Sequence, residues 1–324
     1  MRRLAIAALL VLAVVATVKP ANASSCFAFN SFLDFGTIDM LSGTPHDTSD
    51  TTLLLCFRNN PTFMVRACVH MGYNQADATQ RYMDNGSGDL LGFQIYKDAA
   101  RTSVWGSADV PIPIYNTYGP VTLDFAPGTF IQLLPVYGRV FSGQPAVPQG
   151  TYTSGAAGTA IGFSVKSEEY PSAAAAASCN AITTNSFGHT STARAAVQST
   201  CNVTSTAMDF GIASTLTSAI DTSATIQVSC TAGASYFIAL NGGNAGATDP
   251  TMRQMSLGAQ NVTYGIYRNA ARTQGWGSLV GTNTVAGSMG GSGINSHTAY
   301  GRVPAQATPG TGTYTDTIVV TLTY

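Results

Sequence analysis

Along most of the chain, apolar residues recur at every second position in short runs, and Gly- or Asn-rich breaks separate the runs. Ile226 and Val228 lead into Cys230, and Tyr236, Ile238 and Leu240 share one face of the next run. Ile318, Val320, Leu322 and Tyr324 share one face of the last. Asp84-Asn85-Gly86 and Asn241-Gly242-Gly243-Asn244 supply residues suited to tight turns between runs. A period of two sends alternate side chains to opposite faces of a strand. Short strands with regular turn signals predict an all-β sandwich architecture. No amphipathic helical stretch of useful length competes, and the alanine run 173–177 reads as a linker or a short local turn.

The pattern occurs twice. Cys26 precedes Leu33-Asp34-Phe35-Gly36, and Cys201 precedes Met208-Asp209-Phe210-Gly211. Ile95-Tyr96-Lys97-Asp98-Ala99-Ala100-Arg101-Thr102 returns as Ile266-Tyr267-Arg268-Asn269-Ala270-Ala271-Arg272-Thr273. Trp105-Gly106, Tyr137-Gly138-Arg139-Val140 and Gly150-Thr151-Tyr152-Thr153 return, in that order, as Trp276-Gly277, Tyr300-Gly301-Arg302-Val303 and Gly312-Thr313-Tyr314-Thr315. Ordered blocks of this kind mean internal duplication.

The ends and the cysteines set the compartment. Arg2 and Arg3, the apolar run 4–18 and Ala21-Asn22-Ala23 read as a signal peptide over 1–23. A membrane anchor is the rival reading, but the run falls short of the roughly 20 residues that span a bilayer. The two copies then occupy 24–189 and 190–324. Six cysteines suit a disulfide framework in an oxidising compartment. Cys26–Cys56 and Cys201–Cys230 occupy matching positions, and Cys68 and Cys179, without counterparts in the second copy, are left to pair with each other. No CxxC pair supports a metal site.

The chain is 45% hydrophobic and 10% charged with a formal net charge of −1. It therefore lacks the clustered Lys and Arg that nucleic-acid binding needs. His46, His70, His189 and His297 share no motif context, so neither catalysis nor a cofactor is expected. Asp34 and Asp209, Arg101 and Arg272, and Arg139 and Arg302 recur in both copies, which favours structural roles in hydrogen bonding and turn anchoring.

Taken together, the D-F-G, Y-[KR]-[DN]-A-A-R-T, W-G, Y-G-R-V and G-T-Y-T blocks resemble the spore coat protein U domain. That family supplies subunits of archaic chaperone–usher pili of the Csu type. The resemblance implies two immunoglobulin-like β-sandwich domains in tandem, of which a two-domain member is similar to a tip adhesin. It implies export through the periplasm to the cell surface, a periplasmic chaperone, an outer-membrane usher and an adjacent pilus subunit that donates a strand. Biofilm formation on an abiotic or host surface follows from the same likeness.

The residues carry that logic further. Only Ser24 and Ser25 precede Cys26 in the expected mature chain, so no outward donor strand is expected at the N-terminus. The second copy is expected to lack its last strand, leaving an acceptor groove beside Ile318, Val320, Leu322 and Tyr324. Between the copies, 181–183 or 195–197 are candidates to fill the first domain's groove, with a plain linker as the alternative. The stretch between Trp105 and Tyr137 is longer and more apolar than its counterpart, and its prolines place part of it in loops. Val110, Ile112, Ile114, Tyr115, Tyr118, Phe125, Phe130, Leu133 and Leu134 are its candidate surface-binding residues. A non-fimbrial coat protein is one alternative. Another is a secreted carbohydrate-binding module with Trp105, Tyr115 and Tyr118 as stacking groups.

Overall fold

The computed structural model describes residues 25–29, 32–57, 60–72, 80–107, 120–127, 131–155, 160–182, 185–291 and 293–324. These form two compact units. The first comprises residues through Gly36, then Pro45–Phe141 and Tyr152–Ala195. The second comprises Ala196–Tyr324 with Thr37–Thr44 and Ser142–Thr151. The expected signal peptide lies outside the described residues. Among those residues the fold is all-β, the one helical element being a 3-10 turn at Ala173–Ala175.

The first unit is built from β1 (Ser25–Phe29), β2 (Phe32–Ile38), β3 (His46–Phe57), β4 (Met64–Met71), β5 (Arg81–Asp84) and β6 (Leu90–Tyr96). It continues with β7 (Val121–Phe125), β8 (Ile131–Val140), β9 (Gly150–Thr153), β10 (Ile161–Tyr170) and β11 (Asn185–Val197). Strands β1-β3-β8-β6-β5 form one layer, and β11-β10-β4-β7 form the other. Leu54, Val69, Phe93, Trp105, Val136 and Val165 are buried between them.

The second unit repeats the plan with β12 (Cys201–Ser205), β13 (Ile220–Cys230), β14 (Ser235–Leu240), β15 (Arg253–Leu257) and β16 (Gln260–Tyr267). Strands β17 (Val285–Ser288), β18 (Asn295–Val303) and β19 (Val320–Thr323) complete it. Its layers run β12-β13-β18-β16-β15 and β17-β14-β19. Ile226, Val228, Ile238, Tyr264 and Trp276 lie in the shared core.

The recurring residues hold the same positions in each unit. Cys26 faces Cys56 across β1 and β3, and Cys201 faces Cys230 across β12 and β13. Both pairs are disulfides with Cα atoms 4.0 Å apart, and Cys68–Cys179 is the third disulfide. Trp105 donates its indole N–H to the Val69 carbonyl at 2.9 Å, and Trp276 donates to Ile238 at 2.9 Å. Arg101 (φ 57°) donates to the carbonyls of Gly138, Ala99 and Thr48. Arg272 (φ 55°) donates to Gly301, Ala270 and Thr222. Residues other than glycine seldom adopt positive φ, and here three carbonyl acceptors hold each arginine in it. Arg139 clamps Asp47 and Arg302 clamps Asp221 through paired N–H···O bonds. These recurrent charges are structural, as their repetition suggested.

Two further arginines, which the motif reading passed over, are buried. Arg81 donates to the carbonyls of Met71 and Trp105 and to the Gln94 side chain. Arg253 donates to Asn241, Pro250 and Trp276 at 2.9, 2.6 and 2.8 Å. Burial with hydrogen bonds to backbone oxygens satisfies donors that would otherwise be costly.

Candidate functional site

The indole bonds fix which strands correspond. Val69 pairs with Val165 of β10, and Ile238 pairs with Leu322 of β19. Strand β10 is therefore the counterpart of β19, and Ile161 and Phe163 correspond to Ile318 and Val320.

What lies beside these strands differs. In the first unit β10 pairs with β4 on one edge and with β11 on the other, Ile161 opposite Ser191. Strand β11 also pairs with β2, the strand that carries Leu33-Asp34-Phe35-Gly36. Ser191, Ala193, Ala195 and Val197 face inward, 2%, 0%, 0% and 4% exposed. The first sandwich is thus closed by its own chain. Of the two candidate closing segments, 195–197 lies within β11, whereas Ile182 is buried beside Cys68, Tyr170 and Cys179. The domain boundary expected between 189 and 190 falls inside this strand.

In the second unit β19 pairs with β14 alone among the described residues. The segment 207–213, which contains Met208-Asp209-Phe210-Gly211, is in no strand. A cavity of about 600 Å³ opens between them, floored by Ala224, Ile226, Leu240, Tyr264 and Ile266 and walled by Ile318 and Val320. A second of about 450 Å³ shares Met208, Phe210, Met255 and Tyr314 with it, so the two form one groove. Ile318, Val320 and Leu322 are partly buried against the core, while Tyr324 is 56% exposed. The floor residues come from three strands and were not foreseen. The repeated Met208-Asp209-Phe210-Gly211 block was the one signal in sequence that marked this wall.

One hydrogen-bonded cluster of polar groups lines the groove beside β19. Tyr264 donates its hydroxyl to Asp316 Oδ2 at 2.6 Å, and burial, reinforced by this bond, pushes its pKa well above the usual tyrosine range. Asp316 Oδ1 accepts from the Asn244 and Thr317 amides at 2.7 and 2.8 Å, which pins the segment leading into β19. A floor of apolar side chains beside the unpaired edge of β19 suits an extended polypeptide.

The apolar candidates of the first unit divide. Leu133, at the opening of β8, is 60% exposed, and its neighbour on the same face, Ile131, is 56% exposed. Phe125 and Leu134 are each 5% exposed and belong to the core, not to a surface loop. Phe125 is set inward by its pairing with Val65, and Leu134 by the alternation that also buries Val136 and Val140. Residues 131–135 are strand rather than loop. Pro135 fits there because this half of β8 has β3 as a neighbour and β6 joins only from Tyr137 onward. Val110, Ile112, Ile114, Tyr115, Tyr118 and Phe130 lie outside the described residues. Trp105, one of the three stacking groups of the carbohydrate alternative, is fully buried, and the other two lie outside the described residues. No cluster of His, Cys, Asp and Glu able to hold a metal occurs among the described residues.

Among solved structures, the chain is similar to the CsuC–CsuE chaperone–tip adhesion subunit pre-assembly complex of Acinetobacter baumannii archaic Csu pili. The identity is 16% with a TM-score of 0.49, covering 92% of this chain and 100% of that one. It is also similar to the CupB6 tip adhesin of Pseudomonas aeruginosa, at 14% identity and a TM-score of 0.41, covering 93% and 95%. No curated protein matches the chain in sequence. The family model of the Spore Coat Protein U domain matches residues 12–159 and again 172–321, one match for each copy of the repeat, and the chain therefore belongs to that family.

Proposed function

We propose that the protein is an exported subunit of a chaperone–usher surface fibre and stands at its tip. In this reading the second unit joins the fibre by accepting a strand from the adjacent subunit, and the first unit attaches to a surface. One observation carries the proposal: the first sandwich is closed by β11 of its own chain, whereas the corresponding place in the second is an apolar groove. An exported chain with such a groove needs a cover during transit, the role of a periplasmic chaperone, before an outer-membrane usher passes it to the next subunit. The exposed Ile131 and Leu133, together with the apolar stretch 110–118, are the proposed attachment surface, acting in biofilm formation.

The test is periplasmic expression of the full chain with and without a chaperone of this class. We expect recovery only as a chaperone complex, from which a strand peptide displaces the chaperone. A stable monomer obtained without chaperone or peptide would sink the proposal.

A further inference from the structure

The two units offer the same carboxylate to a neighbouring strand, but only one of them has its partner. In the first unit Asp34 Oδ1 accepts the Gly36 amide at 2.9 Å, closing a tight turn on a glycine with φ 65°. Its Oδ2 receives Arg194 Nη2 at 2.6 Å. Arg194 belongs to β11, projects outward between the buried Ala193 and Ala195, and lies 5.5 Å from the centre of the Phe32 ring. The strand that fills the groove therefore carries a cation that locks onto the wall.

In the second unit Asp209 repeats the turn, its Oδ1 accepting the Gly211 amide at 2.8 Å with Gly211 at φ 72°. Asp209 lines both cavities of the groove. Among the described residues no Lys, Arg or His forms an ion pair with it. The carboxylate is held in the same geometry as Asp34, with the oxygen that Arg194 would take left over.

We infer that the strand seated in the second unit's groove carries an arginine or lysine opposite Asp209, flanked on its inward face by small or apolar residues, as Arg194 is in β11. This rests on the groove reading above and adds the chemistry of the occupant. The charge sets register. A strand with period-two alternation loses little apolar contact on slipping by two residues, so side-chain pattern alone specifies position weakly. A single cation meeting a fixed carboxylate admits one position. Pairing the occupant with both walls also makes 207–213 a strand, as its counterpart β2 is.

The test uses the full chain and labelled synthetic peptides spanning residues 185–197, with arginine or alanine at the position of Arg194. Binding is read by fluorescence anisotropy, and amide exchange is followed across 207–213 and 318–324. The arginine peptide is expected to bind about two- to fivefold more tightly, the range of an exposed ion pair. The preference should vanish in 1 M salt, where the screening length is about 3 Å. It should vanish equally in Asp209→Asn, which keeps an oxygen for the Gly211 amide and removes the charge. Equal binding of both peptides to the unaltered protein, with exchange protection intact, overturns the charge inference and leaves the groove reading standing. Failure of both peptides to bind and to protect those amides overturns both readings.

Discussion

Replacing Cys68 and Cys179 together by alanine should reveal two separate effects of the disulfide that the second unit lacks. The bridge joins β4 to the segment ahead of β11 across a sequence separation of 111 residues. On the chain-entropy model, closing a loop of that length stabilises the folded unit by about 4.8 kcal/mol. For a unit of about 150 residues this corresponds to a fall in melting temperature of about 10–20 °C. The second effect is local. Cys179 anchors the chain about five residues before β11 begins, whereas without the bridge the last fixed point is the end of β10, about fourteen residues back. The longer tether costs about 1 kcal/mol more to close, so β11 should leave its groove about fivefold more often. Calorimetry of the full chain reads the first effect, with the second unit as an internal control. Amide exchange at 190–197 reads the second. A first-unit transition displaced by less than about 2 °C, with β11 exchange unchanged, would refute both calculations.

Other outcomes follow from particular side chains. Arg253→Met should destabilise the second unit by about 2–4 kcal/mol in urea unfolding, because one buried and two partly buried carbonyls lose their donor. Gly138→Ala would put a methyl 2.8 Å from Phe35 Cζ, and Gly301→Ala would put one 3.0 Å from Phe210 Cζ and against Met208. Each should cost about 1–3 kcal/mol and loosen the Asp-Phe-Gly segment behind it, read by urea midpoint and tyrosine fluorescence. Hydrogen bonds from Arg139 and Arg302 hold the Asp47 and Asp221 carboxyls below the usual range. Their folded-state pKa values lie below the unfolded value of about 3.9, so this stabilisation is present above pH 4 and is lost as pH falls further. The urea midpoint should drop across that window in the parent and less in Asp221→Asn. Replacing Ile112, Ile114 and Leu133 by serine should reduce attachment to apolar surfaces while fibre assembly is unaffected, as scored by electron microscopy and adhesion counts.

The duplication and the Cys26–Cys56 and Cys201–Cys230 bridges could be read from the sequence because both are matters of self-similarity, and Cys68–Cys179 followed as the pair left over. The closing strand was harder to see. Three of the four inward residues of β11 are Ser191, Ala193 and Ala195, too small to register as an apolar alternation, and what makes them core is the tight space between β2 and β10. Phe125 and Leu134 were misplaced because apolar character does not tell which face a residue takes, and strand register does. The groove floor, drawn from β13, β14 and β16, is a product of non-local pairing that no local pattern encodes. Arg81 and Arg253 escaped notice because each sits alone at the start of a strand, with none of the surrounding repeats that flagged Arg101 and Arg272.

Only residues 198–200 separate β11 from β12, so this chain holds a strand and a groove of like kind in near succession. Should β11 of one copy leave its place and enter the second-unit groove of another, the donor would be left open to receive a strand in turn. Such head-to-tail exchange is heterologous and generates open filaments wherever its rotation does not close into a ring. The tether at Cys179 works against that outcome. By shortening the leash on β11, it favours the strand's return to its own sandwich over capture by a neighbour.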